Sequence, residues 1–305
     1  MKVLIFGSRG LVGRSLSKTL NNSDFVTEVI QSTREDTNLE DKNSIINSIN
    51  KNEPDYVVNC AAKVGGIYAN NKYRVDFLMN NLKINLNLFD AVKEFNNVGV
   101  INLGSSCIYP LDAKNPIKEE YFMSGKLEPT NSPYAIGKIV GIELGKEISK
   151  QFGNNVINLM PTNLYGPFDN FSEMDSHVIP GMMYKMHKAK VNNSKIFKIW
   201  GTGKPLREFM YVDDLSNCIE FLIMKKPNID LINVGSGKEI SIYDLAILMK
   251  EVVGYTGEIK TDLNMPDGNP RKLLDSTIIN KLGWTHSTNL KDGLIKTYDW
   301  FLKNI

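Results

Sequence analysis

The stretch Lys2-Val3-Leu4-Ile5-Phe6-Gly7-Ser8-Arg9-Gly10-Leu11-Val12-Gly13 decides the fold. Val3 to Phe6 is a short apolar run of the kind that makes a buried strand, and a helical pattern follows from Leu11 to Leu20. Gly7, Gly10 and Gly13 fall between and into these elements at even spacing. Glycine at such points lets the backbone turn tightly and approach a pyrophosphate, which then rests on the N–H groups of the helix N-terminus. Residues Gly7, Ser8, Arg9, Gly10, Leu11, Val12 and Gly13 are therefore the candidate phosphate loop of a dinucleotide site. A glycine trio alone suits an ordinary turn equally well; the strand–turn–helix context favours a ligand.

The alternation continues outward from this loop. Apolar runs at Phe25–Ile30, Tyr56–Asn59, Val98–Leu103 and Val156–Met160 read as strands. Helical patterns at Asp41–Asn50, Tyr73–Phe95 and Tyr134–Phe152 separate them. Strands alternating with helices imply βαβ units, a parallel sheet and a doubly wound α/β (Rossmann) domain. The expected dinucleotide-binding domain is 1–165. After it Gly, Pro, Asn and Asp become frequent and the elements shorten: helices at Val178–Ala189, Asp213–Met224, Ser241–Val253, Ser276–Leu282 and Leu290–Leu302, strands at Phe197–Trp200 and Leu231–Val234. This reads as a smaller C-terminal substrate-binding domain, mainly 166–305, with segments near 207–235 returning to the sheet. The Tyr73–Phe95 pattern is apolar on more than one face (Phe77, Leu82 and Phe89, but also Met79, Ile84 and Leu88), which fits deep burial or a subunit contact.

Composition narrows the function classes. The 305 residues carry a formal net charge of only +2, so no electrostatic bias toward nucleic acid or anionic membrane is visible. Cys60, Cys107 and Cys218 are odd in number and far apart, which suits a reducing cytosol rather than a disulfide framework. No apolar run approaches the ~20 residues of a membrane span. The N-terminus meets glycine too soon for a signal peptide. A cytoplasmic enzyme without metal is the expectation, since no His, Cys and carboxylate cluster has ligand spacing. Cys218 sits with Leu215, Ile219 and Leu222 on an apolar helix face and reads as core, while His187 and His286 read as surface residues.

Two further sites carry chemistry. An NAD-binding fold expects an acidic residue at the end of the second strand, to hold the ribose 2′-hydroxyl. Gln31-Ser32-Thr33-Arg34 stands there instead. Arg34, helped by Arg9, can meet a 2′-phosphate, so NADP(H) is expected, although Glu35 and Asp36 lie nearby. Tyr134 and Lys138 lie one helical turn apart, after the turn Asn131-Ser132-Pro133, and an ammonium beside a phenol is expected to lower the phenol pKa. Ser105 follows the fourth strand, at the sheet edge where open α/β folds bind ligands.

Together these residues resemble the extended short-chain dehydrogenase/reductases and, within them, the GDP-L-fucose synthase family. The stretches that carry the resemblance are Ala61-Ala62-Lys63-Val64-Gly65-Gly66-Ile67, Gly104-Ser105-Ser106-Cys107-Ile108-Tyr109-Pro110, Leu127-Glu128-Pro129-Thr130-Asn131, Pro133-Tyr134-Ala135-Ile136, Met160-Pro161-Thr162-Asn163-Leu164-Tyr165-Gly166-Pro167, Ser176-His177-Val178-Ile179-Pro180 and Pro266-Asp267-Gly268-Asn269-Pro270-Arg271-Lys272. They span nearly the whole chain.

The resemblance implies an enzyme that inverts C3 and C5 of GDP-4-keto-6-deoxy-D-mannose and then reduces the C4 ketone with NADPH. It implies Tyr134, Lys138 and Ser105 for the reduction, with Cys107 as base and His177 as acid for the epimerisation. Thiol and imidazole suit that task because both titrate nearest neutral pH. Ala61, Ala62, Pro161, Thr162, Asn163, Leu164 and His177, with Tyr134 and Lys138, are the further expected cofactor contacts. Asn163, Lys185, Trp200, Arg207 and Asp267 are the expected contacts of the GDP-sugar. A homodimer through the helices at 73–95 and 134–152 is implied as well. The rivals are a C4 reductase of a GDP-4-keto sugar such as a heptose, a UDP-sugar 4-epimerase, and a non-catalytic NADP sensor.

Overall fold

In the computed structural model of the chain, residues 1–173, 176–265 and 267–305 are described, so Pro266 and the Met174–Asp175 pair lie outside the described residues. The first half runs β1 (Lys2–Phe6), α1 (Leu11–Asn21), β2 (Glu28–Ser32), α2 (Lys42–Asn52), β3 (Tyr56–Asn59), α3 (Ile67–Lys72), α4 (Arg74–Val92), β4 (Gly99–Leu103), α5 (Ser132–Phe152) and β5 (Val156–Pro161). Side chains alternate across a strand, so β1 sends Val3 and Ile5 into one core and Leu4 and Phe6 into another. Burial on both faces is why the strand reads as an unbroken apolar run.

Among the described residues the large sheet has the order β2-β1-β3-β4-β5 and, at its far edge, β9 (Leu231–Val234). Every pairing in it is parallel. Helices α2, α4 and α5 cover one face. Helix α1 covers the other, with helices from the second half of the chain. This is the doubly wound fold that the sequence implied. The order reverses between β1 and β3, and a crevice at the carboxyl ends of strands opens at such a reversal.

Three asparagines cross the middle of this sheet in register: Asn59 on β3, Asn102 on β4 and Asn158 on β5. Asn59 donates to Asn102 over 3.3 Å and Asn102 donates to Asn158 over 2.9 Å. Their side chains are fully shielded from water, and the ladder satisfies groups that would otherwise be costly to bury.

The second half adds β6 (Asn163–Tyr165), α6 (Val178–Val191), β7 (Ile196–Trp200), β8 (Leu206–Tyr211) and α7 (Val212–Lys225). After β9 follow β10 (Glu239–Ser241), α8 (Ile242–Val253), β11 (Glu258–Asp262), β12 (Arg271–Lys272), α9 (Thr277–Leu282) and α10 (Leu290–Asn304). Strands β10, β8 and β12 form a small sheet with β6 beside β8, and β11 pairs with β7. A separate core of Met183, Met186, Leu245, Met249, Leu294 and Phe301 holds α6, α8 and α10 together. Helix α7 returns to the large sheet, where Ser15 of α1 donates to Asp213 over 2.6 Å. Ile279 of α9 and Trp284 join the same core, a return that the sequence did not suggest.

Several elements differ from their sequence reading. The second strand starts at Glu28, because Phe25 and Val26 pack against the core before the strand begins. The Tyr73–Phe95 helix runs from Arg74 to Val92, and a short further helix, α3, precedes it with a break at Tyr73. Asn131-Ser132-Pro133 is no separate turn: α5 starts at Ser132 with Pro133 in its first turn, where proline leaves no backbone donor wasted. Among the described residues no helix is long and apolar enough to cross a membrane.

Candidate active site

A cleft of about 1080 Å³ opens at the carboxyl ends of β1, β3, β4 and β5 and is closed on its far side by α6, β7 and the 267–272 segment. It is the crevice that the strand order implies.

The glycine loop forms one end. Gly7 has a left-handed φ of 75°, and a Cβ there would come within 2.8 Å of the Ala61 nitrogen. A Cβ on Gly13 would meet the Gly7 carbonyl at 2.4 Å, so the loop closes against its own helix only with glycine at both places. Gly10 caps α1 without any side-chain acceptor, which leaves the helix N–H groups free to receive an anion. This cradle fits a pyrophosphate. Gly7, Gly10, Leu11 and Val12 line the cleft, as do Ala61, Ala62, Pro161, Thr162, Asn163 and Leu164. Ser8, Arg9 and Gly13 do not line it. Ser8 is buried and bonded through both its nitrogen and its hydroxyl to the Ser32 carbonyl, and Arg9 points outward to Glu35 at 3.2 Å.

The turn after β2 separates the two candidate charges. Arg34 lines the cleft with its side chain 89% exposed, 3.5 Å from Glu40. Glu35 and Asp36 do not line the cleft. Asp36 accepts from the Thr33 nitrogen and hydroxyl, and these bonds hold its carboxyl below the usual range. Of Arg34, Glu35 and Asp36 only Arg34 lines the cleft, with its ion-pair partner Glu40 beside it there.

The groups expected to react stand after β4, on α5 and at the start of α6. Ser105 follows β4 in extended conformation, and its hydroxyl accepts from the Cys107 nitrogen over 3.3 Å, starting the turn Ser106–Ile108. Tyr134 and Lys138 share one face of α5, and both line the cleft. Lys138 is buried and donates to the Leu103 carbonyl over 2.8 Å. Its ammonium is 5.9 Å from the Tyr134 ring centre. Here the structure corrects the sequence. Burial pushes the phenol up, Cys107 adds to that rise, and only the bond with Ser105 opposes it. Burial also brings Lys138 down to about 8, with Cys60 working against it. The phenol is thus held as a proton donor.

Cys107 and His177 both line the cleft. His177 stands at the uncapped start of α6 as an exposed residue, and the desolvation by the protein around its ring lowers its pKa from the usual value. The Lys272 ammonium of β12 lies 3.5 Å from the Cys107 sulfur. Lys272 closes one of the quoted stretches, yet nothing in its spacing marks it: β12 delivers it by pairing with β8. Glu128 also stands in one of the quoted stretches, without a role assigned to it there. It accepts from the Thr130 nitrogen and hydroxyl and from the Asn131 nitrogen, tying down the start of α5 and hence the aim of Tyr134.

At the far end Asn163 donates to the Glu208 carbonyl over 2.8 Å. Lys185 lies 5.3 Å from the Trp200 ring centre, and burial lowers its pKa, with Glu173 opposing. Trp200 is 39% exposed and lines the cleft rather than the core. Arg207 lines it too, its guanidinium donating to the Leu206 carbonyl over 2.8 Å. Asp267 also lines the cleft, but both its oxygens already accept from Thr202, so its first role is to anchor its own loop. Outside the cleft, Cys218 is fully buried. His187 is no free surface residue: its ring nitrogen bonds the Tyr298 hydroxyl at 2.9 Å, because α6 packs on α10 there.

The model of the NAD dependent epimerase/dehydratase family matches residues 3–235. The chain belongs to that family. Within it, the chain groups with the GDP-L-fucose synthases. GDP-L-fucose synthase 1 of Arabidopsis thaliana is 45% identical over 304 residues, covering 100% of this chain and 94% of that protein. The GDP-L-fucose synthase of Escherichia coli strain K12 is 42% identical over 312 residues, covering 99% and 97%. Among solved structures, a GDP-mannoheptose C4 reductase from Campylobacter jejuni with NADP bound superposes with a TM-score of 0.89 at 32% identity, covering 99% and 98%. The family's parallel sheet and glycine cradle are those described above.

Proposed function

We propose that this chain is an NADPH-dependent enzyme that converts GDP-4-keto-6-deoxy-D-mannose into GDP-L-fucose by 3,5-epimerisation and 4-reduction. One observation carries the reading: Ser105, Cys107, Tyr134, Lys138 and His177 line the same cleft as the glycine loop. The identity to the synthases of Arabidopsis thaliana and Escherichia coli supports it, and the NADP-bound neighbour supports the choice of cofactor.

Gly7, Gly10 and the N-terminus of α1 would hold the pyrophosphate, Arg34 the 2′-phosphate and Lys138 the nicotinamide ribose. Bound NADPH supplies the hydride that reaches C4. The chain's own groups do the rest. Ser105 and Tyr134 hydrogen-bond the C4 oxygen, which acidifies the protons on C3 and C5 because the enolate charge moves onto that oxygen. Cys107 takes such a proton as thiolate and His177 returns one from the other face of the ring. The Lys272 ammonium beside the sulfur serves as counter-charge for the thiolate. In the reduction Tyr134 gives its proton to the C4 oxygen as charge develops, and burial keeps that proton in place until then. Arg207 pairs with the diphosphate, and Trp200 with Lys185 flanks the base.

We also propose a cytoplasmic homodimer through α4 and α5. Val75, Met79 and Leu86 on α4 and Ile136 and Phe152 on α5 are exposed apolar side chains on adjacent helices. The second reading is a C4 reductase of a pre-epimerised GDP-heptose, favoured by the Campylobacter jejuni neighbour. It leaves Cys107 and His177 without a task. A turnover screen of GDP-4-keto-6-deoxymannose and a GDP-4-keto-heptose with NADPH, products read by NMR, decides between them. GDP-L-fucose from the first substrate is expected. Reduction of the heptose alone would overturn the proposal.

A further inference from the structure

The loop between β6 and α6 carries a carboxyl that the mechanism leaves unused. Asp169 lines the cleft. Its Oδ1 accepts from the Asn170 nitrogen over 2.7 Å, but its Oδ2 is shielded from solvent and has no hydrogen-bond partner among the described residues. Burying half a carboxylate without a partner is unfavourable, and a fold that only needed a surface turn here would leave the group in water.

The surroundings hold it inward. Phe168, the residue before it, has a left-handed φ of 68°, a conformation disfavoured for a side chain of that size. Its ring is pinned from two sides, by the Arg14 guanidinium of α1 at 4.7 Å and by Trp300 of α10 at 4.8 Å. Phe171 is pinned in the same way, against Trp300 and Phe301. Two aromatic anchors thus bracket Asp169 and turn it away from solvent. The strained Phe168 thus stands directly before a residue that lines the cleft.

We propose that Asp169 is a ligand-binding residue whose Oδ2 accepts a hydrogen bond from a hydroxyl or amide N–H of a nucleotide bound in the cleft. An unpaired carboxyl oxygen suits such donors, whereas the diphosphates meet N–H groups and a guanidinium at the glycine loop and Arg207. The inference rests on the reading of the cleft as the NADPH and GDP-sugar site, and it adds a contact that no glycine, serine or tyrosine motif contains. Either ligand offers hydroxyl donors, so the test has an arm for each.

The test is thermal unfolding of the wild type and of Asp169→Asn, each alone, with NADPH and with GDP-mannose. Asn keeps the bond to Asn170 and removes the charge. Without ligand the variant is expected to melt at or above the wild-type temperature, because nothing in the fold pairs with Oδ2. The stabilisation by one ligand should shrink, with about a tenfold or greater loss of affinity. Loss with NADPH assigns the contact to the cofactor, and loss with GDP-mannose assigns it to the nucleotide sugar. A variant that both ligands stabilise as they do the wild type would overturn the inference. So would a variant that melts well below the wild type without ligand yet binds both normally, since Asp169 would then be structural. Asp169→Ser, smaller and still polar, repeats the comparison if the Asn variant folds poorly. The wild-type arms report separately on the functional reading: a wild type that neither ligand stabilises would contradict the cleft assignment itself.

Discussion

Tyr134 shows how one residue's environment selects between two chemistries. A phenol near neutral pKa would exchange protons freely, but burial raises this one, so it donates only to an oxygen on which charge is developing. Tyr134→Phe is expected to lower reduction by on the order of a hundred- to ten-thousand-fold, the usual contribution of a positioned acid, while NADPH affinity stays within a few-fold. Stopped-flow oxidation of NADPH beside a binding titration checks this, and near-normal turnover would remove Tyr134 from the mechanism. Lys138 gives a pH dependence. Its pKa is lowered to about 8 by burial, so the ammonium is present below that pH and is lost as the pH rises through it. The kcat/KM for NADPH should therefore fall on the alkaline side, with a midpoint near the value for free enzyme. A flat profile from pH 7 to pH 10 would contradict the assignment.

At the scale of elements, the choice of cofactor is proposed to lie with the turn after β2. Asp36 is bonded to Thr33 and Arg34 is left facing the cleft. Arg34→Ala should raise the KM for NADPH by about tenfold and leave that for NADH nearly unchanged, a difference read directly from steady-state kinetics. An equal effect on both would refute the 2′-phosphate contact. This scale also shows what was legible in the sequence. β1 and β3 to β5 were readable because strands buried on both faces leave continuous apolar runs. β8, β10, β11 and β12 were not. β10 and β12 are only three and two residues long, β8 and β11 carry Arg207, Glu208, Glu258 and Lys260, and all four owe their form to pairing with distant segments. The site followed the same division. Residues in motifs at the ends of the large sheet were found, whereas Lys272 reaches Cys107 only through the pairing of β12 with β8, which no local spacing encodes.

For the whole molecule, the cleft lies between the large sheet and the smaller α6, β7 and β12 region, so groups from both line it. Helices α4 and α5 pack closely on each other, and they still expose Val75, Met79, Leu86 and Ile136. Leu86→Arg is expected to shift the protein from dimer to monomer in analytical ultracentrifugation without changing the fold. A wild type that sediments as a monomer would contradict the proposed assembly. The central claim is that one clamp on a single ketone serves both proton exchange and reduction. Its most direct test is incubation with GDP-4-keto-6-deoxy-D-mannose in heavy water without NADPH, followed by mass spectrometry and NMR. Deuterium should enter at C3 and C5, and Cys107→Ser should suppress the exchange. A sugar that keeps both its original protons in the wild-type enzyme would contradict the account.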